Sequence, residues 1–463
     1  MSLQALPYWI TLLLVVVSPL FFGAAYGWGY TAMAVFAGLA LALLASRQAL
    51  RGESTDLRLR ALTPAIVIYL LVLAWSVVQW LPGLAFGEAQ AFWSQAATLL
   101  QADMPDSLTI NPSLTLYAIV RLACYGAVFL VMFWYARDVR RARQVVTAVA
   151  GVSIVYAVYG LVVYFSGNET ILWYPKPSYK WSLTSVFVNR NNYAAYVGLG
   201  LLCCVAVLHW RMRDRWHRAG GQLGFAQGLA MLLVLPNALL LMGCLVLATA
   251  LLLTQSRGGA ATTLVGLLVY GYFMIAGRNF PRWAIAVFVA LVLLAALFVL
   301  ALSGDVTLSR LANLEVDFAF RFDIYALSLQ ALADRPLVGF GLGTFEDVFR
   351  LYRTPLFPER YTMAHNSYLE LAVDVGLPFA LLFMLALAWP VWRCWRGVAA
   401  RRWGVTFPAL GLAASAQIGL HSLVDFPLQL PALAATYAAL MAVATAQSWP
   451  RNEAPSEIRQ PEP

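Results

Sequence analysis

Residues 229–276 read LAMLLVLPNALLLMGCLVLATALLLTQSRGGAATTLVGLLVYGYFMIA, and their reading decides the fold. Two apolar runs, 229–253 and 258–276, each approach the length of about 20 residues that carries a helix across a bilayer. Only Thr254, Gln255, Ser256 and Arg257, with Gly258 and Gly259 behind them, separate the two runs. The chain must therefore turn sharply there, and two glycines let the backbone do so. An arginine in such a turn is costly in a membrane unless it is paired or wet.

The same length rule, carried outward, marks further spans at 8–27, 29–46, 62–81, 114–135, 145–165, 191–210, 283–302, 376–392, 405–423 and 431–448. Composition agrees. Of 463 residues, 61% are hydrophobic and 11% charged, against roughly 45–50% and about 25% for soluble chains. A water-soluble enzyme is excluded, and the net charge of +9 is read against a membrane rather than a nucleic acid. The expectation is an all-α polytopic membrane protein of about twelve transmembrane helices. Spans one to nine fall within 1–302, a large extramembrane loop within 303–375, and spans ten to twelve within 376–448. A Pro/Glu-rich tail, 449–463, is expected to be disordered. The first apolar run lacks a basic leader and reads as a retained helix.

Arginine sets the orientation. All basic residues except Lys176 and Lys180 are arginine. With the N-terminus inside, the short inside loops are uniformly basic; the inside segments, C-terminal tail included, hold 20 of the 31 Lys and Arg, while outside segments hold 10. Arg121 falls within a span. Both termini are then cytoplasmic. In the large outside loop, Phe318, Phe322, Tyr325, Leu329 and Leu332 share one helical face, Asp334–Arg335–Pro336 ends that helix, and Phe345–Tyr352 forms a second amphipathic piece. A further amphipathic helix is expected around 88–101. The five cysteines sit in or beside apolar runs, and a disulfide framework is not expected.

Four polar clusters lie at outer helix ends. In the first, Asn189–Arg190–Asn191 opens span six. An asparagine that caps a helix beside an arginine suits an anion such as phosphate. In the second, Ser256–Arg257–Gly258–Gly259 is a similar anion-type turn, with Ser256 as a cap. In the third, His365–Asn366 precedes Glu370 and Asp374. His365 is the one histidine of the long outside region and is suited to general-base work near neutral pH. The plainer reading of His365 is a capping residue. The fourth, His421–Ser422–Leu423–Val424–Asp425–Phe426, puts Asp425 where it could orient His421 or pair with an arginine. No HExxH, P-loop or GxSxG motif is present, and no metal-spaced carboxylate pair occupies an outside loop, so neither metal nor cofactor is expected.

These four clusters, in this order, resemble the bacterial O-antigen ligase and Wzy-type polymerase superfamily over roughly residues 115–445. The stretch Asp334–Arg335–Pro336–Leu337–Val338–Gly339–Phe340–Gly341–Leu342–Gly343–Thr344–Phe345 adds to the likeness. The resemblance implies a GT-C-like, metal-independent, inverting glycosyltransferase of the bacterial inner membrane that works on the periplasmic face. It would take a glycan from undecaprenyl pyrophosphate and pass it to a lipid-linked glycan or to lipid A–core. Residue by residue, it implies that Arg190 and Arg257 hold the donor pyrophosphate, that Arg321, a recurring arginine of the loop, joins them in binding it, and that His365 is the catalytic histidine. Asn189, Asn191, Ser256, Asn366, Glu370, His421 and Asp425 would support them. One departure is Asn192, where a histidine often follows Asn–Arg–Asn in relatives. The full Asn189–Arg190–Asn191…Ala194…Tyr196 form and the His421–Asp425 ending lean toward an exopolysaccharide polymerase, with O-antigen ligase as the alternative. A twelve-helix transporter is the rival class. It would carry its polar residues mid-span, whereas here they gather at helix ends.

Overall fold

The computed structural model describes residues 5–51, 57–84, 91–104, 106–218, 225–276, 321–354, 361–401 and 404–449. The chain runs α1 (Leu6–Val17), two 3₁₀ turns, α2 (Gly27–Arg51), α3 (Leu57–Arg60), α4 (Thr63–Trp80), α5 (Ala91–Leu100), α6 (Pro112–Tyr135) and α7 (Val139–Phe165). A small antiparallel ladder, β1 (Thr170–Ile171) with β2 (Tyr174–Pro175), follows. Then come α8 (Arg190–Arg218), α9 (Phe225–Leu233), α10 (Leu235–Leu253), α11 (Arg257–Ala276) and α12 (residues 321–334). The chain closes with α13 (Phe345–Tyr352), α14 (Ser367–Val375), α15 (Leu377–Ala399), α16 (Thr406–His421) and α17 (Pro431–Ala446).

Eight helices, α2, α4, α6, α7, α8, α10, α11 and α15, are long and apolar enough to cross a membrane. They coincide with eight of the expected spans. Three other expected spans are shorter than read from the sequence. Span 8–27 becomes a 12-residue α1, broken where Pro19 and the positive φ of Gly23 (+69°) turn the chain. Spans 405–423 and 431–448 become the 16-residue α16 and α17. Sixteen residues rise about 24 Å, a little less than a hydrocarbon core of about 30 Å. Span 229–253 splits into α9 and α10 because Pro236 sits in the first turn of α10. The span at 283–302, the loop residues 303–320 and the tail beyond 449 lie outside the described residues.

The bundle is built around α8. The apolar stretch of α8 is 89% buried, against 22–44% in the other seven. It packs on α7, α10, α11 and α16. Small residues make this close approach possible, as in membrane helix pairs generally. A Cβ on Gly198 of α8 would overlap Thr263 of α11 and Gln417 of α16, and one on Gly259 of α11 would overlap Ala194 of α8. Gln417 donates to the Ala195 carbonyl at 3.0 Å, so this buried polar side chain serves helix packing. The five cysteines are all free thiols, four of them buried and Cys244 half-buried.

The large loop carries structure of its own. Ile324, Ala331, Phe340, Phe345, Val348, Phe349, Ala364 and Val373 form a small core apart from the bundle. This corrects the expected helical face. Phe322 and Leu329 are exposed, while Ile324, Ser328 and Ala331 point inward. Leu332 of the expected stripe does pack against this core and Tyr325 is half-buried, but periodicity of large apolar residues misses most of the buried face because that face includes a serine and an alanine. The Gly339–Gly343 turn is strapped to the rest of the fold. Gly341 N–H donates to the Asp374 carbonyl (2.8 Å), Gly343 N–H to Asp374 Oδ2 (2.7 Å), and Leu342 N–H to Gln79 Oε1 of α4 (3.2 Å). Gly341 adopts φ +112° against Thr109, a position with no room for a side chain.

Candidate functional site

The four polar clusters meet at one end of the bundle. Asn189 caps α8, its Oδ1 accepting from the N–H of Asn191 (2.7 Å) and of Asn192 (3.4 Å). Arg190 is thereby fixed at the first turn, where free N–H groups and the helix dipole favour an anion. Its guanidinium donates to Ser182 Oγ (3.3 Å) and lies over the Tyr179 ring, 5.3 Å from the centroid. Asn192, at the departing position, is buried.

Ser256 caps α11 by accepting from Gly259 N–H at 3.2 Å, and Thr254 Oγ1 accepts from Ser256 N–H at 3.1 Å. Arg257 is the first residue of α11 and is exposed, with no hydrogen-bond partner among the described residues. The turn is anchored to the first cluster, since Gln255 Nε2 donates to the Trp181 carbonyl at 3.1 Å. It also reaches the fourth. A Cβ on Gly258 would stand 3.5 Å from Val424 and 3.7 Å from His421 Nε2. The helices bearing Arg190, Arg257 and His421 are thus the three that pack through Gly198, Gly259 and Gln417.

His365 sits over the turn that follows α16. Ser367 N–H donates to the Ser422 carbonyl (2.8 Å) and Ser367 Oγ to the Asp425 carbonyl (3.1 Å), which docks the start of α14 there. His365 Nδ1 lies 3.3 Å from Asp425 Oδ1, and His421 Nε2 lies 4.0 Å from Asp425 Oδ2. The sequence offered Asp425 to His421 or to an arginine; the nearer partner is His365. Arg321 instead donates to the Val424 carbonyl at 2.9 Å. The cap of α14 is Asn366, which accepts from Tyr368 and Leu369 N–H at 3.1 Å each, so capping does not require His365. His365 has a positive φ of +53°, an uncommon conformation for a non-glycine residue and one that clusters at functional sites. Its side chain is 25% exposed, whereas Asp425 is 3% and His421 1% exposed. An incoming group can therefore reach His365 but not its two partners. With Nδ1 facing the carboxylate, Nε2 is the nitrogen left to accept a proton.

Charge is distributed accordingly. Burial works against ionisation of Asp425, yet the adjoining His365 and His421 outweigh it and hold its carboxyl below the usual range. Glu370 goes the other way, pushed up to about 7 by burial. It acts as a brace: Oε2 accepts from Ala364 N–H (2.8 Å), just before His365, and Oε1 accepts from Gln429 Nε2 (3.2 Å). Gln429 Oε1 in turn accepts from Ser367 Oγ at 3.1 Å. Burial also raises the carboxyl of Asp374 well above its ordinary range, although it faces the glycine turn rather than His365. Sequence reasoning singled out Asp374 only as a neighbour of Glu370 and missed Gln429 and Tyr179. Gln429 lies in a short connection, and Tyr179 in a loop of no recognisable motif. Among the described residues no group of three or more His, Cys, Asp or Glu is arranged to hold a metal ion.

The family model described as O-antigen ligase matches residues 242–384. That stretch contains Arg257, Arg321, His365 and Glu370; Arg190, His421 and Asp425 lie beyond it and reach the same place through the fold. No curated protein matches the chain.

Proposed function

We propose that this chain, whose residues 242–384 carry the O-antigen ligase match, transfers a glycan from a lipid pyrophosphate to a sugar hydroxyl. The observation that carries the reading is the meeting of two arginine-bearing helix N-termini with a His365–Asp425 pair at one end of the bundle. Arg190 and Arg257 are permanently charged and present planar forks of donors, which suit pyrophosphate oxygens. As the bond between the anomeric carbon and the phosphate oxygen breaks, charge grows on the leaving pyrophosphate. Fixed guanidinium groups and helix N-termini stabilise that charge without a metal. The acceptor hydroxyl attacks the anomeric carbon from the opposite side, and its proton passes to His365 Nε2. Asp425 holds Nδ1 and stabilises the imidazolium that forms. General-base help of this kind is typically worth about 10²–10⁴-fold. One displacement inverts the anomeric centre.

In this reading the twelve-span plan places the site on the periplasmic face of the bacterial inner membrane, with both termini cytoplasmic. The donor is undecaprenyl-pyrophosphate-linked glycan. The acceptor we favour is a second lipid-linked glycan, as in a Wzy-type polymerase, on the Asn189–Arg190–Asn191 and His421–Asp425 motifs. The test is reconstitution of the purified protein with lipid-linked repeat units alone, then with lipid A–core added. Extension of repeat units in the first mixture supports the polymerase. Product only in the second makes it a ligase. Near-normal product from Arg190→Ala, Arg257→Ala and His365→Ala together would defeat both.

A further inference from the structure

Tyr179 belongs to none of the four motifs, yet the fold brings it to where they converge. Its ring is the platform under the Arg190 guanidinium, at 5.3 Å. Its hydroxyl receives Asn189 Nδ2 at 3.5 Å, a long contact. The phenol is close enough to Arg190, Asp425 and Arg321 to be influenced by all three charges. It therefore senses charges from both the arginine end of the site and the His365–Asp425 end. Its backbone is held at φ +58°, a conformation that a bulky side chain adopts only when the surroundings impose it. The ladder β1–β2 lies just before it, and Lys176, buried and donating to the Ser182 carbonyl at 3.0 Å, ties the loop shut around it.

An aromatic platform alone would be met by phenylalanine. The hydroxyl needs its own account. Its proton has no protein acceptor among the described residues. Burial raises the phenol above its ordinary range, and the two arginines do not reverse this, so the group keeps its proton at neutral pH. A protonated donor beside two cations and aimed at no protein acceptor suits an anionic oxygen. Resting on the reading of Arg190 and Arg257 as pyrophosphate holders, we propose that Tyr179 is a further ligand to that pyrophosphate, its ring positioning Arg190 and its hydroxyl donating a hydrogen bond to a phosphate oxygen.

The test is direct binding, which does not depend on turnover. Purified full-length protein in detergent is titrated with undecaprenyl pyrophosphate, and Tyr179→Phe and Arg190→Ala are compared with the parent. Tyr179→Phe keeps the ring and the fold and loses only the hydroxyl. A hydrogen bond to a charged group is worth about 1.5–3 kcal/mol, so affinity should fall by roughly 10- to 150-fold. The melting temperature should stay put, and undecaprenol, which lacks phosphate, should bind the variant and the parent alike. Weaker pyrophosphate binding in Arg190→Ala but unchanged binding in Tyr179→Phe overturns the role of Tyr179 alone. Unchanged binding in both overturns the pyrophosphate site itself. A loss in Tyr179→Phe that is equal for undecaprenol and its pyrophosphate makes the residue structural and also refutes the proposal.

Discussion

Substituting Gly259 by alanine should separate the two arginine-bearing helix ends. Gly259 lies in the first turn of α11, two residues after Arg257, and faces Ala194 of α8, four residues after Arg190. A methyl group there would overlap the Ala194 methyl, and Ser256 Oγ would crowd it at 3.1 Å. Restoring ordinary carbon–carbon contact at about 3.5–4.0 Å requires the helices to part by roughly 1 Å. The flanking Gly198 contact, which wedges α8 against both Thr263 and Gln417, resists a compensating slide. Overpacking of this kind costs about 1–3 kcal/mol, enough to lower the melting point by a few degrees without unfolding the protein. The effect on turnover should be larger, because a misplacement of about 1 Å in a catalytic constellation can cost on the order of 10²-fold. The assay is initial-rate glycan transfer in proteoliposomes beside a thermal melt of the same preparation. Ala194→Gly, made in the same chain, removes the opposing methyl and leaves the Ala194 Cα position 3.5 Å away, an ordinary contact. The double variant should therefore recover most of the activity. Full activity in Gly259→Ala alone would refute the argument that this contact sets the arginine spacing. Failure of Ala194→Gly to rescue would refute its assignment to that pair of methyls.

Three further outcomes are expected. His365→Ala should reduce turnover by about 10²–10⁴-fold; Asp425→Asn should also be impaired, and the double variant should be no worse than His365→Ala, since the two act as a unit. Multiplicative losses in single-turnover rates would separate them. Glu370 has its carboxyl raised to about 7 in the fold from an ordinary 4.5, so the folded state binds its proton more tightly than the unfolded chain. Its contribution is fully present below about pH 4.5 and is lost as pH rises through about 7, a difference of at most about 3 kcal/mol. Glu370→Gln should then melt higher than the parent at pH 8 and gain less at pH 5; equal gains at both would show that the carboxyl is not the cause. Asn366→Ala removes the cap of α14 and should cost about 1 kcal/mol, with transfer falling beyond what the melt explains because His365 adjoins the frayed end.

The spans were legible where apolar residues run unbroken, as in α6, α7 and α8. They were misjudged where proline intervenes, at Pro19 and Pro236, because hydropathy does not register a missing N–H. Each polar cluster was legible as a local motif, since caps and turn residues act within a few positions. Their meeting was not. The placing of Asp425 against His365 depends on Ser367 bonding across to Ser422 and Asp425, a contact between segments far apart in the chain. The loop helix α12 showed the converse error: its large apolar side chains marked a face, but Ser328 and Ala331 occupy the buried one.

The hidden cysteines have a practical consequence. With Cys124, Cys203, Cys204 and Cys394 buried and Cys244 partly so, the native chain offers little thiol to a bulky, charged maleimide in intact cells. Burial lifts the Cys124 thiol, like its neighbours in the bundle, out of reach of such reagents by steric means alone. A cysteine introduced at exposed Trp181, beside the arginine clusters, or at exposed Arg140, at the opposite end of α7, would stand out as a single reporter. Which of the two reacts before the membrane is opened reads out, without any enzymatic assay, the side of the membrane that the arginine clusters face.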